Sequence, residues 1–444
     1  MVRIGIDARL YGVESGTGIG RYTAELLREL GQVMSEEVRV MSCSPPPPAP
    51  SPSGWGETEF VVFLRKDGYE AFEPPDERWT KVLADFRPYT IEVQTMFPRL
   101  IREAGVDLMH FTHFDHPIRC PVPFLVTIHD LILLDHPSIR ATTLGPLRFW
   151  MKYVAYHRTL HHAVAKSVRI LTPSQSVKEQ IAERFGVLRE KIITTPLGIE
   201  HVLRDPESSP PPLPTLGPGQ VAPPPRGKGR KFIDPPYLLY VGNAYPHKNL
   251  EQLIRALPKL RERHPEPRLV LVGREDDFYR RLRLAAGQRT PIVFTGALPE
   301  DELWTLLANT AAYVSPSLEE GFDLPTLEAA ALGTPVVASD IPVHREVLGD
   351  AFLPFPQDDD AALIEAIHRV LVHSELRATL VDRGIVRARQ FSWRTCALRT
   401  VSAYREAIAC LDAVRATAPR PGDQPAELQK DSRPRSSSRT STRG

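Results

Sequence analysis

The chain has 444 residues, of which 42% are hydrophobic and 25% are charged, a balance that is ordinary for a globular protein with sizeable cores. At about 150 residues per domain, this length predicts two or three domains. Lysine and arginine together number 55 against 54 acidic residues, so the net charge of +1 does not favour nucleic acid or an anionic surface as a partner.

The first half of the chain alternates short apolar runs with longer amphipathic segments. The apolar runs that predict strands are Val2–Ile6, Val38–Met41, Phe60–Leu64, Asp107–Phe111, Phe124–His129, Arg169–Thr172 and Lys191–Thr194. Helices are predicted between several of these runs, including Ile19–Leu30 and Pro146–Lys166. Such alternation is typical of a parallel sheet with helices on both faces.

Proline is concentrated in a few segments, which is unusual. Ser44–Ser53 and Asp205–Pro236 are too rich in proline to join a sheet, because proline lacks the backbone N–H donor. We expect extended or disordered insertions there, and simple spacers explain them well. The tail over residues 416–444, which ends in serine and arginine, is also predicted to be disordered.

The alternating pattern begins again after the second proline-rich segment. The predicted strands are Tyr237–Val241, Arg268–Val272, Ile292–Thr295, Ala311–Val314 and Pro335–Ala338. The predicted helices are Asn249–Arg263, Asp276–Ala286, Pro299–Ala308 and Pro325–Leu332, followed by three closing helical segments of which the last is Trp393–Leu411. The sequence therefore predicts two α/β halves, and the crevice at the carboxyl ends of their strands is the expected ligand site.

A glycine-rich loop, Gly16–Gly20, precedes the first helix. It does not fit a dinucleotide-binding fingerprint, because Arg21 stands where the third glycine would be and the loop lies far beyond the first strand. Two interpretations remain open: the N–H groups at the helix start bind an anion, or the loop is a flexible turn that caps the helix.

Two segments of the second half carry charged residues near helix starts. Lys248 stands between a strand and a helix, where it can pair with a phosphate, although a surface lysine is the commoner outcome. Glu320 and Glu328 flank a turn, and the amides of Gly321–Leu324 can face an anion because Pro325 opens a helix. Alternatively, both acids simply complement the helix dipole.

The pair His129–Asp130 ends an apolar strand and could point into the crevice, or His129 could be a buried structural histidine. The spacing of His110, His113 and His116 does not suit a zinc helix, and an acidic helix start explains Asp358–Asp360. We therefore expect no metal site and no cofactor. The sequence shows no signal peptide and no apolar run of about 20 residues, so we expect a cytoplasmic protein.

These motifs together resemble the retaining family-four glycosyltransferases of GT-B architecture. The first half contributes GTGIGRYT, TIHD, TPSQSVKEQI and PLGIE, and the second half contributes YVGN, PHKNLEQLIRAL, VFTGALPEDEL and EEGFDLPTLEAAALGTPVVASDIPVHREV. The matches run from about Arg3 to Tyr404. The resemblance implies a Rossmann-like acceptor domain (residues 1–200), the proline-rich linker (201–236), a Rossmann-like nucleotide-sugar domain (237–391) and a helix that crosses back to the first domain (392–415).

The resemblance also implies roles for individual residues. Lys248 matches the lysine on the diphosphate, Glu328 the acid on the ribose, Glu320 the acid near the donor hexose and His129 the histidine near the reacting sugar; of these, Glu320, His129 and Lys248 are the predicted catalytic residues. The further implied donor contacts are Gly18, Gly242, Asn243, Gly273, Leu298, Gly321, Phe322, Asp323 and Leu324.

Three positions depart from the family pattern. Asn243 and His247 stand where many members have arginine, so one positive charge on the phosphates is either missing or supplied from elsewhere. Asp323 replaces the commoner glycine, and because that position lies against the donor, we expect it to influence sugar preference.

The function implied by the resemblance is transfer of a hexosyl unit, with retention, from a nucleotide-sugar donor to a glycan or lipid-linked acceptor. The motifs TGIGRYT and SDIPVHREV favour mannose from GDP-mannose. No metal is required if Lys248 and the amides of Gly321–Leu324 stabilise the leaving group. A sugar-nucleotide epimerase of the same fold and a non-catalytic nucleotide-sugar-binding protein remain alternatives, and attachment to the inner face of the membrane is left open.

Overall fold

The computed structural model describes residues 2–12, 18–43, 58–136, 146–203, 233–287 and 291–417. The proline-rich segment Ser44–Ser53, most of Asp205–Pro236 and residues 418–444 lie outside these ranges, so the predictions made for them stay predictions.

The first half contains a seven-stranded parallel sheet in the spatial order β3-β2-β1-β4-β5-β6-β7. Its strands are β1 (Arg3–Asp7), β2 (Glu59–Leu64), β3 (Trp79–Leu83), β4 (Leu108–Phe111), β5 (Phe124–Thr127), β6 (Arg169–Thr172) and β7 (Ile192–Thr194). The strand order reverses between β1 and β4, which pair side by side. A ligand crevice is therefore expected at the carboxyl ends of these two strands.

Helices cover both faces of this sheet. They are α1 (Gly18–Cys43), α2 (Lys66–Ala71), α3 (Ile91–Thr95), α4 (Phe97–Glu103), α5 (Ile132–Asp135), α6 (Pro146–Lys166), α7 (Gln175–Phe185) and α8 (Glu200–Leu203). The predicted strand Val38–Met41 is wrong, because these residues continue helix α1. The stretch between the predicted helix and these residues contains no proline, and its single glycine, Gly31, does not stop the helix.

The second half contains a six-stranded parallel sheet in the order β10-β9-β8-β11-β12-β13. Its strands are β8 (Tyr237–Val241), β9 (Arg268–Val272), β10 (Ile292–Gly296), β11 (Ala312–Ser315), β12 (Val336–Ser339) and β13 (Phe352–Phe355). Its helices are α9 (Leu250–Arg263), α10 (Asp277–Ala286), α11 (Glu300–Asn309), α12 (Leu324–Ala331), α13 (Pro342–Leu348), α14 (Asp360–Val372) and α15 (Ser374–Ala388). The predicted class of two parallel-sheet, Rossmann-like halves is confirmed.

The last helix, α16 (Trp393–Thr417), returns to the first half and packs against α1. The Tyr404 hydroxyl lies 2.7 Å from Nδ1 of His110 on β4, and Arg399 donates to the carbonyl of Thr194 on β7. One apolar cluster accordingly includes Tyr22 of the first half, Trp393 of α16 and residues of the second half. The predicted crossing helix is therefore present, and it joins the two halves through a shared core.

The predicted linker begins at residue 201, but the first residues of that range are folded. Glu200–Leu203 forms helix α8, in which His201 and Val202 are buried. The linker interpretation is therefore wrong for residues 201–203, because His201 makes contacts in the site described below. The described helices are all too short or too polar to span a lipid bilayer.

Candidate functional site

The two halves meet where the segments after β5 and β11 touch. A side chain at Gly321 would place its Cβ 2.0 Å from the His129 carbonyl oxygen, so only glycine permits this approach. From the other side, the Ser174 hydroxyl donates to the Gly321 carbonyl at 2.7 Å. The turn of the second half is thus held by two segments of the first half, and we call this contact region the seam.

A second contact across the seam lies at the start of α7. The Glu346 carboxylate accepts hydrogen bonds from the backbone N–H groups of Gln175, at 2.5 Å, and Ser176, at 2.8 Å. These are among the N–H groups that a helix leaves without an internal partner, and a carboxylate is favoured there by the helix dipole. The second half therefore supplies the anion that caps a helix of the first half.

Lys248 and Glu320 form an ion pair in the second half. Lys248 ends a 3-10 turn after β8, and the Leu318 N–H donates to the carbonyl of the neighbouring His247 at 2.7 Å, which fixes the two loops together. The Lys248 Nζ donates to Glu320 Oε1 at 2.5 Å, with 15% and 6% of the two side chains exposed. An ammonium has three donors, so it can meet an anion as well as Glu320.

Burial acts against the charge on Lys248, but the carboxylates of Glu320 and Asp323 outweigh it and raise the lysine pKa. Burial also raises the pKa of Glu320, although the Lys248 ammonium acts in the opposite direction. Lys248 is therefore cationic at neutral pH in a site that excludes most water.

Asn243 and His247, the two departures from arginine, do not supply a further charge. The Asn243 side-chain oxygen accepts from the Tyr245 N–H at 3.2 Å, so it shapes the turn. Burial, together with the charge of Lys248, lowers the pKa of His247 to about 3. His247 is therefore neutral at pH 7 and cannot replace an arginine.

Asp323 adopts a left-handed backbone conformation, with φ of 59°, directly before helix α12. Glycine is favoured at such a φ, and another residue there carries a strain of about 1 kcal/mol or more. The Asp323 carboxylate turns inward, where Oδ2 accepts from the Ser315 hydroxyl at 2.7 Å and from His344 Nε2 at 2.8 Å. These bonds offset the strain, and they hold the side chain within the second half.

His344 is fully buried and has an acceptor at each ring nitrogen. Nε2 lies 2.8 Å from the Asp323 carboxylate, and Nδ1 lies 2.8 Å from the Ser339 carbonyl oxygen. Because a carbonyl and a carboxylate only accept, both nitrogens carry hydrogen and the ring is an imidazolium. Burial opposes this charge, but Asp323 outweighs it and raises the pKa of His344. The lysine–glutamate pair thus has a second buried ion pair beside it.

Glu328 lies on α12 and is held from three directions. Its Oε1 accepts from His201 Nε2 at 2.8 Å, and His201 Nδ1 accepts in turn from the indole N–H of Trp393 at 3.0 Å. Arg21 Nε on α1 lies 4.0 Å from the same carboxylate oxygen. Burial acts to raise the pKa of Glu328, but His201 and Arg21 outweigh it and lower the pKa. An ionised carboxylate is therefore positioned at the seam by α8, α16 and α1.

His129, the site histidine predicted in the first half, lies near the turn at Gly321 and is neutral. Its Nε2 donates to the Thr112 carbonyl at 2.9 Å, and Tyr22 packs edge-on against its ring at 4.7 Å. Burial lowers the pKa of His129 to about 4. The proton on Nε2 leaves Nδ1 as the nitrogen able to accept a hydrogen bond.

The remaining predicted donor contacts differ in what their side chains do. Phe322 and Leu324 are buried, and Leu298 packs against the same apolar cluster. These residues can therefore contact a ligand mainly through their backbone groups. Gly273 and Gly242 pack backbone to backbone, since a Cβ on Gly273 would lie 2.0 Å from the Gly242 carbonyl oxygen. Gly18 is the first residue of α1, and a Cβ there would meet no atom of the described structure within 4 Å.

Residue-by-residue sequence reasoning missed several side chains of this site. Arg21 and His344 stand in motifs that the sequence displays, GTGIGRYT and SDIPVHREV, but neither was predicted to belong to the site. Ser174 and His201 give no local signal, because their partners are 147 and 127 residues away. Each of these side chains acts across the seam or within the fold, and only the structure shows that.

Comparison with known proteins agrees with this arrangement. A family model described as Glycosyltransferase Family 4 matches residues 16–202, and one described as Glycosyl transferases group 1 matches residues 225–387. The chain is 28% identical over 411 residues to O-antigen chain mannosyltransferase B of Escherichia coli, covering 88% of this chain and 96% of that relative. It is 30% identical over 298 residues to the MMP alpha-(1->4)-mannosyltransferase of Mycolicibacterium hassiacum, covering 65% of this chain and 66% of the relative.

Among solved structures, the sucrose-phosphate synthase of Thermosynechococcus elongatus superposes with a TM-score of 0.62 at 18% identity, covering 92% of this chain and all of that one. This likeness concerns the fold, which has two Rossmann-like halves facing each other.

Breaking the Asp323–His344 pair from one side should cost more than removing it altogether. We expect His344→Leu to lower the free energy of unfolding by about 3–5 kcal/mol, because a buried carboxylate loses its cation. Asp323→Gly combined with His344→Leu should recover most of that loss, since glycine suits the left-handed backbone and no buried charge is left. Urea unfolding of the single and double variants measures this coupling.

The neighbouring Arg345→Leu is a matched control, because Arg345 pairs with Asp340 at the surface. It should leave the free energy of unfolding nearly unchanged, because an exposed ion pair contributes little to stability. Strictly additive losses in the double variant would contradict the ion pair inferred here.

Proposed function

This chain belongs to the family-four glycosyltransferases of GT-B architecture, and we propose that it transfers a mannosyl unit from GDP-mannose to a glycan acceptor with retention of configuration. The two relatives named above share mannosyl transfer although their printed names indicate different products, which supports mannose as the donor sugar. The names of these relatives also support transfer over epimerisation.

The single observation that carries the proposal is the buried Lys248–Glu320 pair beside the turn at Gly321. When the bond between sugar and diphosphate breaks, negative charge develops on the leaving phosphate. A buried ammonium stabilises that charge more strongly than a solvated one, because little water screens it. Lys248 is held for this role by Glu320 and by the bond between Leu318 and His247.

Other groups of the second half, on its side of the seam, position the rest of the donor in this proposal. In this proposal the ionised carboxylate of Glu328, which His201 orients, accepts hydrogen bonds from the hydroxyl groups of the nucleotide ribose. The backbone amides of the turn over residues 321–324 face phosphate or sugar oxygens at the start of α12. His129 lies across the seam from this turn. The proposal places the reacting sugar beside His129.

Retention follows in this proposal from attack on the same face that the diphosphate leaves. The acceptor hydroxyl then passes its proton to the departing phosphate oxygen, so that no side chain has to act as a covalent nucleophile. The proposal also needs no metal ion, because Lys248 and the turn amides supply the stabilising charge.

The donor can be identified by measuring binding and hydrolysis of GDP-mannose, UDP-glucose and ADP-glucose. We expect GDP-mannose to bind tightest and its hydrolysis to persist in the presence of EDTA. With an acceptor present, NMR of the product should show the anomeric configuration of the donor. Tighter binding of a uridine or adenosine donor would contradict the mannosyl assignment, and an inverted product would contradict the mechanism.

Replacing Lys248 by alanine should lower kcat by about 100- to 1,000-fold, the usual cost of losing one donor to a developing oxyanion. Lys259→Ala is the matched control, because Lys259 is an exposed lysine of α9 and should leave kcat unchanged. Steady-state kinetics with saturating GDP-mannose measures both. An unchanged kcat/KM in Lys248→Ala would remove this lysine from the site.

Glu328→Gln should affect donor binding more than chemistry. Loss of the carboxylate charge weakens the bonds to the ribose in the ground state and the transition state alike, so KM for the donor should rise about tenfold while kcat changes little. Glu300→Gln is the control, since Glu300 also pairs with Arg21 but is 59% exposed. A fall in kcat without a change in KM would place Glu328 at the reacting bond instead.

A further inference from the structure

Tyr89, in the loop between β3 and α3, combines an unfavourable backbone with an exposed ring. Its φ is 63°, a left-handed value that is rare for a bulky residue, and its side chain remains 60% exposed. Such strain persists only where the surrounding structure holds it. An apolar ring is thus kept at the surface at the expense of stability.

A buried charge network holds the backbone of Tyr89 in place. Its N–H donates to Asp115 Oδ2 at 2.9 Å. Asp115 is buried and lies 3.6 Å from Arg9, which is 2% exposed and makes two bonds to Asp7 at 2.9 and 2.8 Å. The left-handed conformation of Tyr89 is therefore fixed by groups that follow β1 and β4, the strands at the switch point of the first sheet.

The ring of Tyr89 is equally well positioned. Its hydroxyl oxygen lies 3.2 and 3.3 Å from the two ring nitrogens of His113, and the two rings meet edge to face at 5.7 Å. The Phe114 ring lies 5.7 Å from that of Tyr89 and packs against Tyr156 of α6 at 4.9 Å. The Tyr89 ring is therefore supported by two neighbouring rings while part of it stays exposed.

Tyr89 also lies close to the seam. The His113 ring is nearly parallel to that of His129, with centroids 6.3 Å apart. Asp130, the residue after His129, packs against the turn of the opposite half, since a Cβ at Gly321 would lie 3.2 Å from the Asp130 Cβ. Tyr89, His113 and His129 thus form a row from the surface of the first half to the place where the transferred sugar is expected.

We propose that Tyr89 forms the acceptor subsite and stacks its ring against the apolar face of a pyranose in the acceptor glycan. A sugar ring offers C–H groups on its face and hydroxyls at its edge, which suits an uncharged aromatic ring with the Asp130 carboxylate nearby. The inference rests on the proposed function and adds the chemistry of the acceptor to it.

Tyr89→Gly is the sharpest variant, because glycine accepts the left-handed backbone and removes only the ring. With methyl α-D-mannopyranoside as the acceptor and GDP-mannose as the donor, the KM for the acceptor should rise about tenfold, which corresponds to about 1.4 kcal/mol. The KM for GDP-mannose and its hydrolysis without acceptor should stay within about twofold of wild type. Tyr89→Phe, which keeps the ring, should retain most of the acceptor affinity.

Two further measurements test whether the change in acceptor KM is specific to the Tyr89 ring. Trp150→Ala removes another half-exposed aromatic ring of the first half and should leave the acceptor KM unchanged. Circular dichroism and the melting temperature of Tyr89→Gly should show a folded protein, because the relieved backbone strain offsets part of the packing lost with the ring. An unchanged acceptor KM in Tyr89→Gly, or an equal rise in Trp150→Ala, would overturn the subsite.

The proposed function can fail separately. If wild type turns over no nucleotide sugar, saturation-transfer NMR of methyl α-D-mannopyranoside still tests the subsite without a donor. Binding that is lost in Tyr89→Gly would support the subsite, whereas binding that both proteins share, or no binding to wild type, would reject it.

Discussion

The pairing of buried charges in the second half is the constraint on which the rest of the site depends. Two cations, Lys248 and His344, and two anions, Glu320 and Asp323, are removed from water around the loop after β11. A single buried charge would cost several kcal/mol, so the four are tolerated only as pairs. The pairs in turn fix the loop after β11, and that loop presents its backbone to the other half of the chain.

A preformed cation in a dry site explains how an anionic leaving group can be stabilised without rearrangement of solvent. The cost of removing water from the Lys248 ammonium is met when the protein folds, and the Lys248–Glu320 bond then holds the ammonium in place. Because Glu320 occupies one of three donors on the ammonium, the diphosphate of a nucleotide sugar need not break the pair to bind. Glu328 is a second buried charge that its neighbours stabilise, since His201 and Arg21 keep it ionised although it is buried.

Much of the fold could be predicted from the sequence, because buried parallel strands such as Tyr237–Val241 are nearly continuous apolar runs. The edge strands β3 and β13 were missed for the converse reason, since Trp79–Leu83 and Phe352–Phe355 mix apolar residues with exposed, charged or proline positions. The strand predicted at Val38–Met41 failed because a short apolar run fits a helix as well as a strand when no turn residue precedes it.

The candidate site was predictable only in part. Lys248, Glu320 and Glu328 could be placed through motif resemblance, and the structure brings Lys248 and Glu320 together. His201, which binds Glu328, and Ser174, which binds Gly321, could not be placed, because a side chain that acts across more than a hundred residues leaves no periodic or local pattern. Asp323 was predicted to lie against the donor, which stays a prediction, and the inward turn of its carboxylate to His344 could not be predicted. Sequence spacing identifies a position but does not determine which way the side chain turns.

Asp323 and Tyr89 show how the two halves treat the same strain differently. Both are non-glycine residues with left-handed φ, 59° and 63°, and each stands in a loop after a strand of its own sheet. At Asp323 the strain is offset by two inward hydrogen bonds, so the residue stabilises the turn and the start of helix α12. At Tyr89 the backbone is held from behind by Asp115, while the ring stays exposed. Strain whose gain is internal stability needs no ligand to explain it, whereas the acceptor subsite proposed above gives a function to strain that keeps an aromatic ring exposed.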